Sequence, residues 1–225
     1  MEKSKNNAIA VLLLSLSLCV CMGLVDAILS PPYAVKSAIK LVLFGAIPIV
    51  YLISTKSFAP KKLFSLKRQH AKLIAPLAIG IFAVIMIAFF ALRNFIDFSS
   101  VTDSLTADAG VTRENFIFVA LYIALINSFL EEFFFRGFCF FSLRPLGLPT
   151  AYIVSALLFS AYHVAFMDGW LSPVIFALAL FGMALGGGIF AFLNHKTESL
   201  LPSYLVHMAS NLATNLIGII MFYSQ

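Results

Sequence analysis

The chain carries, at residues 115–143, the stretch NFIFVALYIALINSFLEEFFFRGFCFFSL. This stretch is longer than the ~20 apolar residues that cross a bilayer as a helix. Backbone groups in lipid must pair within their own segment, which favours a helix. The stretch also contains Glu131, Glu132 and Arg136, and ionisable side chains at membrane depth are costly and indicate a functional site. We therefore predict one long membrane helix with polar chemistry in its second half.

The composition of the whole chain agrees with a membrane protein. Hydrophobic residues make up 61% of the 225 residues, charged residues make up 11%, and the mean hydropathy is +1.00. Soluble domains contain about 45–50% apolar and about 25% charged residues, so a soluble fold is excluded. The three cysteines lie in apolar segments, and we expect neither a disulfide framework nor a cysteine metal site. The predicted fold class is all-α, a polytopic bundle of transmembrane helices.

Seven apolar segments predict about seven transmembrane helices, at 8–29, 34–54, 73–92, 115–143, 150–167, 172–193 and 200–223. A signal peptide cleaved near Ala27 is the alternative for the first segment. We favour a retained helix, because the apolar run is longer than that of a usual signal peptide.

The charges between the helices predict the orientation in the membrane. The segment 93–114 is acidic and rich in Ser and Thr, as expected of an external loop. The loop between the second and third helices contains only basic charges: Lys56, Lys61, Lys62, Lys67, Arg68 and Lys72. Under the positive-inside rule this loop and the N-terminus lie in the cytoplasm. The net charge of +5 then reflects orientation and contact with anionic lipid, and we expect no nucleic acid partner.

The polar residues inside the helices divide the chain into two parts. The first three helices carry almost no polar side chains, so residues 1–114 predict transmembrane scaffold helices. Residues 115–225 are predicted to form the functional core. The ionisable candidates within its helices are Glu131, Glu132, Arg136, His163 and His207.

Spacing predicts how the acidic residues are arranged. Glu132 and Arg136 are four residues apart and can form an ion pair on one helix face. Glu131 is rotated by about 100° from Glu132 and has no local cation, so we expect it to point into the bundle. Glu131 lies 16 residues before Gly147, in the turn to the next helix, and His163 lies 16 residues after it. Both should therefore lie about 24 Å from that turn and face each other.

The last helix adds a polar stripe. His207 and Asn211 are four residues apart, and Asn215 continues the stripe by one turn. Such a stripe favours a polar face toward a wet cavity, and hydrogen bonding between helices is the alternative. Glycines at 182 and 186–188 on the preceding helix allow close approach of its neighbours.

Four motifs in this order resemble the CPBP (CAAX protease and bacteriocin-processing) family, also known as the abortive-infection protein family. Residues 131–136, EEFFFR, match EExxxR, and residues 159–163, FSAYH, match FxxxH. Residues 207–211, HMASN, match HxxxN. Phe181 with the glycine run, followed by TESL at 197–200, is similar to the family's glycine-rich helix and T-x-S-L turn. The resemblance covers about residues 115–215.

The resemblance implies a bundle around an intramembrane catalytic cavity and an activity like that of type II CAAX prenyl endopeptidases. It implies that Glu131 is the general base, acting with His163 on a water molecule. His207 and Asn211 would stabilise the oxyanion, with Glu132 and Arg136 in supporting roles. Peptide hydrolysis requires a base, a water and oxyanion donors, and this set supplies them.

A zinc mechanism is the open alternative. The HExxH motif is absent, but Glu131, His163 and His207 would make a zinc site with one free position. We favour a glutamate mechanism without a metal or other cofactor.

Two further functions stay open. A non-catalytic bacteriocin-immunity or partner-binding membrane protein could use the same scaffold, and a proton-coupled transporter could use the Glu and His residues as a relay. The complete polar set favours the endopeptidase. We expect a peptide or membrane-protein substrate, contact with the lipid bilayer, and a multi-pass location in the plasma membrane of a bacterium. The substrate, its prenylation and the oligomeric state stay open.

Overall fold

The computed structural model describes residues 2–57, 63–167 and 171–223. Within these ranges the chain is mostly helical and contains no strand. The helices are α1 (Glu2–Leu29), α2 (Tyr33–Ser54), α3 (Arg68–Phe95), α4 (Phe98–Ala109), α5 (Phe116–Leu146), α6 (Leu148–Ala161), α7 (Pro173–Thr197) and α8 (Leu201–Tyr223).

In the described part of the chain, six helices are long and apolar enough to cross a membrane: α1, α2, α3, α5, α7 and α8. Their outward faces expose large apolar side chains such as Leu13, Ile79 and Val174, which need a lipid environment. The prediction of an all-α, polytopic helical bundle is confirmed. The chain is a multi-pass membrane protein.

The helix predicted at 150–167 is shorter in the structure. α6 has 14 residues, which gives a length of about 21 Å, and turns follow at 162–167. The side chain of His163 explains this end, because its Nδ1 lies 2.8 Å from the carbonyl oxygen of Phe159. In a continuing helix that oxygen would accept the backbone N–H of His163, which instead donates to the carbonyl of Ser160.

The predicted external loop at 93–114 contains a helix, α4, which the sequence reasoning missed. The Asp97 side chain accepts a hydrogen bond from the backbone N–H of Ser100 at 3.2 Å, which caps the start of α4. Gly110, with φ of 65°, ends it. The Ser99 hydroxyl also bonds Asp97 and holds the pKa of its carboxyl below the usual value. Asp97 and Gly110 were thus the residues in the sequence that indicated the start and the end of this helix.

The core of the bundle is built around α5. Its phenylalanines at 134, 135, 138 and 140 are fully buried, and Phe134 stacks on Phe44 of α2 with 4.1 Å between ring centroids. Gly45 of α2 faces Leu130, so α2 approaches α5 closely just before the two glutamates. Residues Phe133–Phe140 of α5 form a π-helical segment, an irregularity that often occurs at functional sites.

One end of the bundle, which we call the hairpin end, carries the α5–α6 and α7–α8 turns. Arg144 and Glu198 join the two turns through paired hydrogen bonds of 2.6 and 3.1 Å. Leu200 packs against Gly137, about 14 Å before the end of α5. The start of α8 therefore lies deeper than the end of α5, which brings the polar stripe of α8 up to the middle of α5. Lys61 and Lys62 of the basic loop lie outside the described residues.

Candidate functional site

Glu131 lies at the middle of α5 and is 2% exposed. Its Oε1 accepts hydrogen bonds from Nζ of Lys40 at 2.5 Å, from Nδ2 of Asn127 at 2.7 Å and from the hydroxyl of Tyr162. Asn127 precedes Glu131 by one turn of α5, Lys40 comes from α2, and Tyr162 follows the end of α6. The carboxylate is thus held by three separate segments.

The expectation that Glu131 has no cation nearby is therefore wrong, and so is the expectation that the first helices carry no polar chemistry. Lys40 is buried and pairs with Glu131. Lys36, one turn earlier on α2, pairs with Asp26 of α1 at 2.7 Å. Two lysines inside an apolar segment each require a partner, and this signal was available in the sequence. The division of the chain at residue 114 stays a prediction.

Glu132 and Arg136 form the ion pair that their spacing predicted. Nη1 of Arg136 donates to Oε1 of Glu132 at 2.9 Å, and both side chains are fully buried. Nη2 of Arg136 donates to the carbonyl oxygen of Gly187 on α7 at 3.0 Å. The guanidinium also lies over the rings of Phe159 and Phe190, with 4.5 and 5.1 Å to their centroids. Arg136 thus connects α5 to α6 and α7 and holds Glu132 in place.

His207 of α8 lies between the two glutamates. Its Nδ1 lies 3.0 Å from Oε1 of Glu132, and its Nε2 lies 3.5 Å from Oε2 of Glu131. The imidazole is 3% exposed and stacks on the ring of Phe190. Glu132 therefore fixes the ring so that Nε2 faces Glu131.

His163 lies beside this cluster without a direct hydrogen bond to Glu131 among the described residues. Its ring lies 4.0 Å from that of Tyr162, measured between centroids, and Tyr162 bonds Glu131 directly. His163 is also close enough to Glu131 for electrostatic interaction. Tyr162 therefore contacts both residues, and the expectation that Glu131 and His163 face each other stays a prediction.

Asn211 faces α5 one turn away from the glutamates. Its Nδ2 donates to the hydroxyl of Ser128 at 2.8 Å and to the carbonyl of Ile123 at 3.3 Å. Asn215 likewise donates to the carbonyl of Ala120 at 2.8 Å. The expected wet face of α8 is therefore a helix–helix contact in this structure, as in the alternative reading of the stripe.

A zinc ion does not fit the side chains as they are arranged. Among the described residues, no three His, Cys, Asp or Glu side chains are placed to hold a metal ion. The ammonium group of Lys40 is 2.5 Å from the carboxylate of Glu131, so a cation already occupies one side of the group that zinc would need. Nδ1 of His163 is bonded to backbone, which leaves only Nε2 of that ring.

Two cavities lie near the ends of the bundle, and neither is lined by Glu131 or His207. The cavity at the hairpin end has a volume of about 270 Å³ and is lined by residues that include Ser4, Asn7, Gly137, Arg144 and Glu198. The cavity at the opposite end has a volume of about 210 Å³ and is lined by residues that include Asp26, Lys36, Ser104 and Asp108. Glu131 and His207 themselves are 2% and 3% exposed, so the surrounding helices cover both side chains almost completely.

Comparison with known proteins supplies the identity of this region. Residues 113–213 match the family described as Type II CAAX prenyl endopeptidase Rce1-like. This description is that of the CPBP family, so residues 113–213 are a CPBP-family segment. The resemblance predicted from the four motifs is confirmed, and the family supports a protease embedded in the membrane that acts on peptides. No curated protein and no solved structure matches the chain.

The match contains every candidate site residue that the motifs identified, from Glu131 to Asn211. It does not contain Lys40, because α2 lies before residue 113. The CPBP segment therefore forms its polar cluster together with a helix outside the match.

Proposed function

We propose that this chain is an intramembrane endopeptidase that hydrolyses a peptide bond with a water activated by Glu131, without a metal. The observation that carries the proposal is the contact between Glu131 and His207, two buried side chains 3.5 Å apart at Oε2 and Nε2. A base and an electrophilic donor within reach of one site are what hydrolysis of an amide requires.

In the proposed reaction a water lies between Glu131 and His163. Glu131 accepts one proton from this water while the oxygen attacks the peptide carbonyl carbon, which gives a tetrahedral intermediate with a negative oxygen. When the intermediate collapses, the C–N bond breaks and the proton on Glu131 passes to the leaving amine. His163 accepts a hydrogen bond from the water through Nε2, since its Nδ1 is turned to the carbonyl of Phe159.

His207 stabilises the oxyanion in this scheme. Its Nδ1 contacts Glu132, and a ring that donates from both nitrogens is the imidazolium form, whose positive charge favours a developing oxyanion. Glu132 and Arg136 act as positioning residues that hold this ring. Asn211 supplies the second donor when its amide group leaves the hydroxyl of Ser128.

The non-catalytic alternative, binding of a bacteriocin or another partner, is also favoured by specific observations. Glu131 already has an ion pair with Lys40, and the amide of Asn211 is occupied by α5. A protein that only binds would tolerate both contacts, so the two functions must be separated by measurement.

The test compares membranes from cells that carry wild type or Glu131→Gln by quantitative proteomics. The substitution keeps size and removes proton acceptance, so cleavage should fall at least ~10²-fold and an uncut precursor should accumulate. Glu114→Gln is the matched control, because Glu114 is exposed and precedes α5. Purified Glu131→Gln protein that still cleaves this precursor would contradict the proposal. Cells with Glu131→Gln that stay as resistant to a bacteriocin as cells with wild type or Glu114→Gln, without an uncut precursor, would favour the binding function.

A further inference from the structure

The two oxygens of the Glu131 carboxylate have different surroundings. Oε1 accepts three hydrogen bonds, from Lys40, Asn127 and Tyr162. Oε2 receives one polar contact from the described residues, the Nε2 atom of His207 at 3.5 Å. One oxygen is thus saturated with donors, and the other is open on the side where His207 lies.

We propose that Lys40, Asn127 and Tyr162 form a carboxylate clamp that holds Oε1 of Glu131 and leaves Oε2 as the atom that takes the proton from water. The catalytic role of this clamp rests on the proposed function, in which Glu131 is the general base. Lys40 acts through Glu131 and is therefore a positioning residue, supplied by a helix outside the segment that matches the family.

The clamp is closed by hydrogen bonds among its own members. Nζ of Lys40 also donates to Oδ1 of Asn127 at 2.6 Å and to the hydroxyl of Tyr162 at 3.1 Å. An ammonium group has three N–H donors, and here all three have an acceptor. Asn127 and Tyr162 each accept a hydrogen bond from Lys40 and donate one to Glu131. Each member thus fixes the direction of the next, and a shift of one side chain would break two or three of these bonds.

This arrangement has two consequences for a buried base. The positive charge of Lys40 balances a carboxylate that is otherwise costly at membrane depth. The three donors also stop rotation of the carboxylate, so the free lone pairs of Oε2 keep one direction. A misplacement of about 1 Å in a catalytic group costs on the order of 10²-fold in rate, which makes this orientation valuable.

The test uses four substitutions in the full-length protein. Lys40→Met removes the charge and keeps the length of the side chain, and Lys40→Arg keeps the charge. Tyr162→Phe removes one donor to Oε1 without a change in charge, so it stays informative if Lys40→Met does not fold. Lys36→Met is the matched control, because Lys36 lies one turn away on α2 and its ion pair is with Asp26.

The first measurement is infrared spectroscopy, which needs no substrate. The difference between wild type and Glu131→Gln identifies the carboxylate bands of Glu131. We expect these bands to shift in Tyr162→Phe, to give way to a protonated carboxyl band in Lys40→Met, and to stay unchanged in Lys36→Met. Bands of the wild-type position in both Tyr162→Phe and Lys40→Met would overturn the clamp, whether or not the chain is a protease.

The second measurement is the turnover of the precursor that accumulates with Glu131→Gln. We expect kcat to fall about 10²-fold in Lys40→Met and on the order of tenfold in Tyr162→Phe, with KM unchanged and partial recovery in Lys40→Arg. Lys36→Met should keep the wild-type kcat. Wild-type turnover in Lys40→Met and Tyr162→Phe beside an inactive Glu131→Gln would overturn the positioning role alone. Wild-type turnover in Glu131→Gln would overturn the proposed function and leave the infrared result to decide on the clamp.

Discussion

Arg136 donates a hydrogen bond from Nη2 to the main-chain carbonyl oxygen of Gly187, 3.0 Å away. This bond crosses from α5 to α7 at a point where α6 also comes close. A Cβ atom on Gly187 would lie 3.1 Å from Nη2 of Arg136 and 3.1 Å from Cα of Ala156. The absence of a side chain at residue 187 therefore lets Arg136 and the backbone of α6 lie against α7.

We predict that Gly187→Ala lowers stability by about 1–3 kcal/mol, because the added methyl group overpacks a closed site. Activity should fall as well, since a displaced Arg136 no longer holds Glu132 against His207. Thermal unfolding in detergent measures the first effect. Gly186→Ala is the control, because its Cβ would meet nothing within 4 Å, and it should be as stable as wild type or more stable. Equal melting temperatures for the two variants would contradict the packing argument.

Removal of the Arg136 side chain should be more damaging than any surface change. Arg136→Ala leaves the buried carboxylate of Glu132 without its cation, and a loss of about 3–5 kcal/mol is expected for an uncompensated buried charge. The protein should show a low yield or a much lower melting temperature. Arg144→Ala breaks a partly exposed pair with Glu198 and should cost no more than about 1 kcal/mol. A stable, well-expressed Arg136→Ala protein would show that this pair does not support the fold.

Asn211 and Asn215 provide a direct comparison between an oxyanion donor and a structural amide. Both lie on the same stripe of α8, and both donate to α5. If Asn211 is an oxyanion donor, Asn211→Ala should lower kcat by about 10²–10³-fold. Asn215→Ala should lower the melting temperature and leave the kcat of the folded protein near the wild-type value. Equal turnover in the two variants would assign Asn211 to helix packing alone.

Metal dependence can be tested on the purified protein. In the glutamate mechanism, protein prepared with a chelator should hold less than one zinc per chain, by elemental analysis, and should keep its cleavage of the precursor. The physical reason is the ammonium of Lys40 beside Glu131, which opposes a second cation there. One zinc per chain, lost in His163→Ala and restored together with activity by added zinc, would overturn this mechanism.

Sequence reasoning predicted the contacts that lie within one helix and missed those between distant helices. The Glu132–Arg136 pair follows from a spacing of four residues on one face. The Lys40–Glu131 pair joins residues 91 positions apart, and no periodicity reports which helices become neighbours. Apolar runs likewise predicted the membrane helices, because burial in lipid selects for them.

The ends of the helices were less well predicted than their existence. The apolar run beyond Ala161 gave no sign that α6 stops, since its end depends on the hydrogen bond that the ring of His163 makes. The capping residues of α4, Asp97 and Gly110, can be recognised in the sequence. They lie in a segment too polar for a membrane helix, and the segment was therefore predicted to be a loop. The contact between His207 and Glu131 could not be predicted from the sequence. It depends on how deep in the bundle the α7–α8 turn lies, which is set by tertiary packing.

The short length of α6 has a consequence for the surrounding lipid. A helix of about 21 Å spans only about two thirds of a hydrocarbon layer that is ~30 Å thick. Lipid beside such a segment thins to match it, so we expect the bilayer to be locally depressed next to α6 and His163. Headgroups and their hydration then come closer to the buried glutamates than they would along a full-length helix. We therefore expect the water that peptide hydrolysis consumes to reach the glutamates from this thinned region of the bilayer.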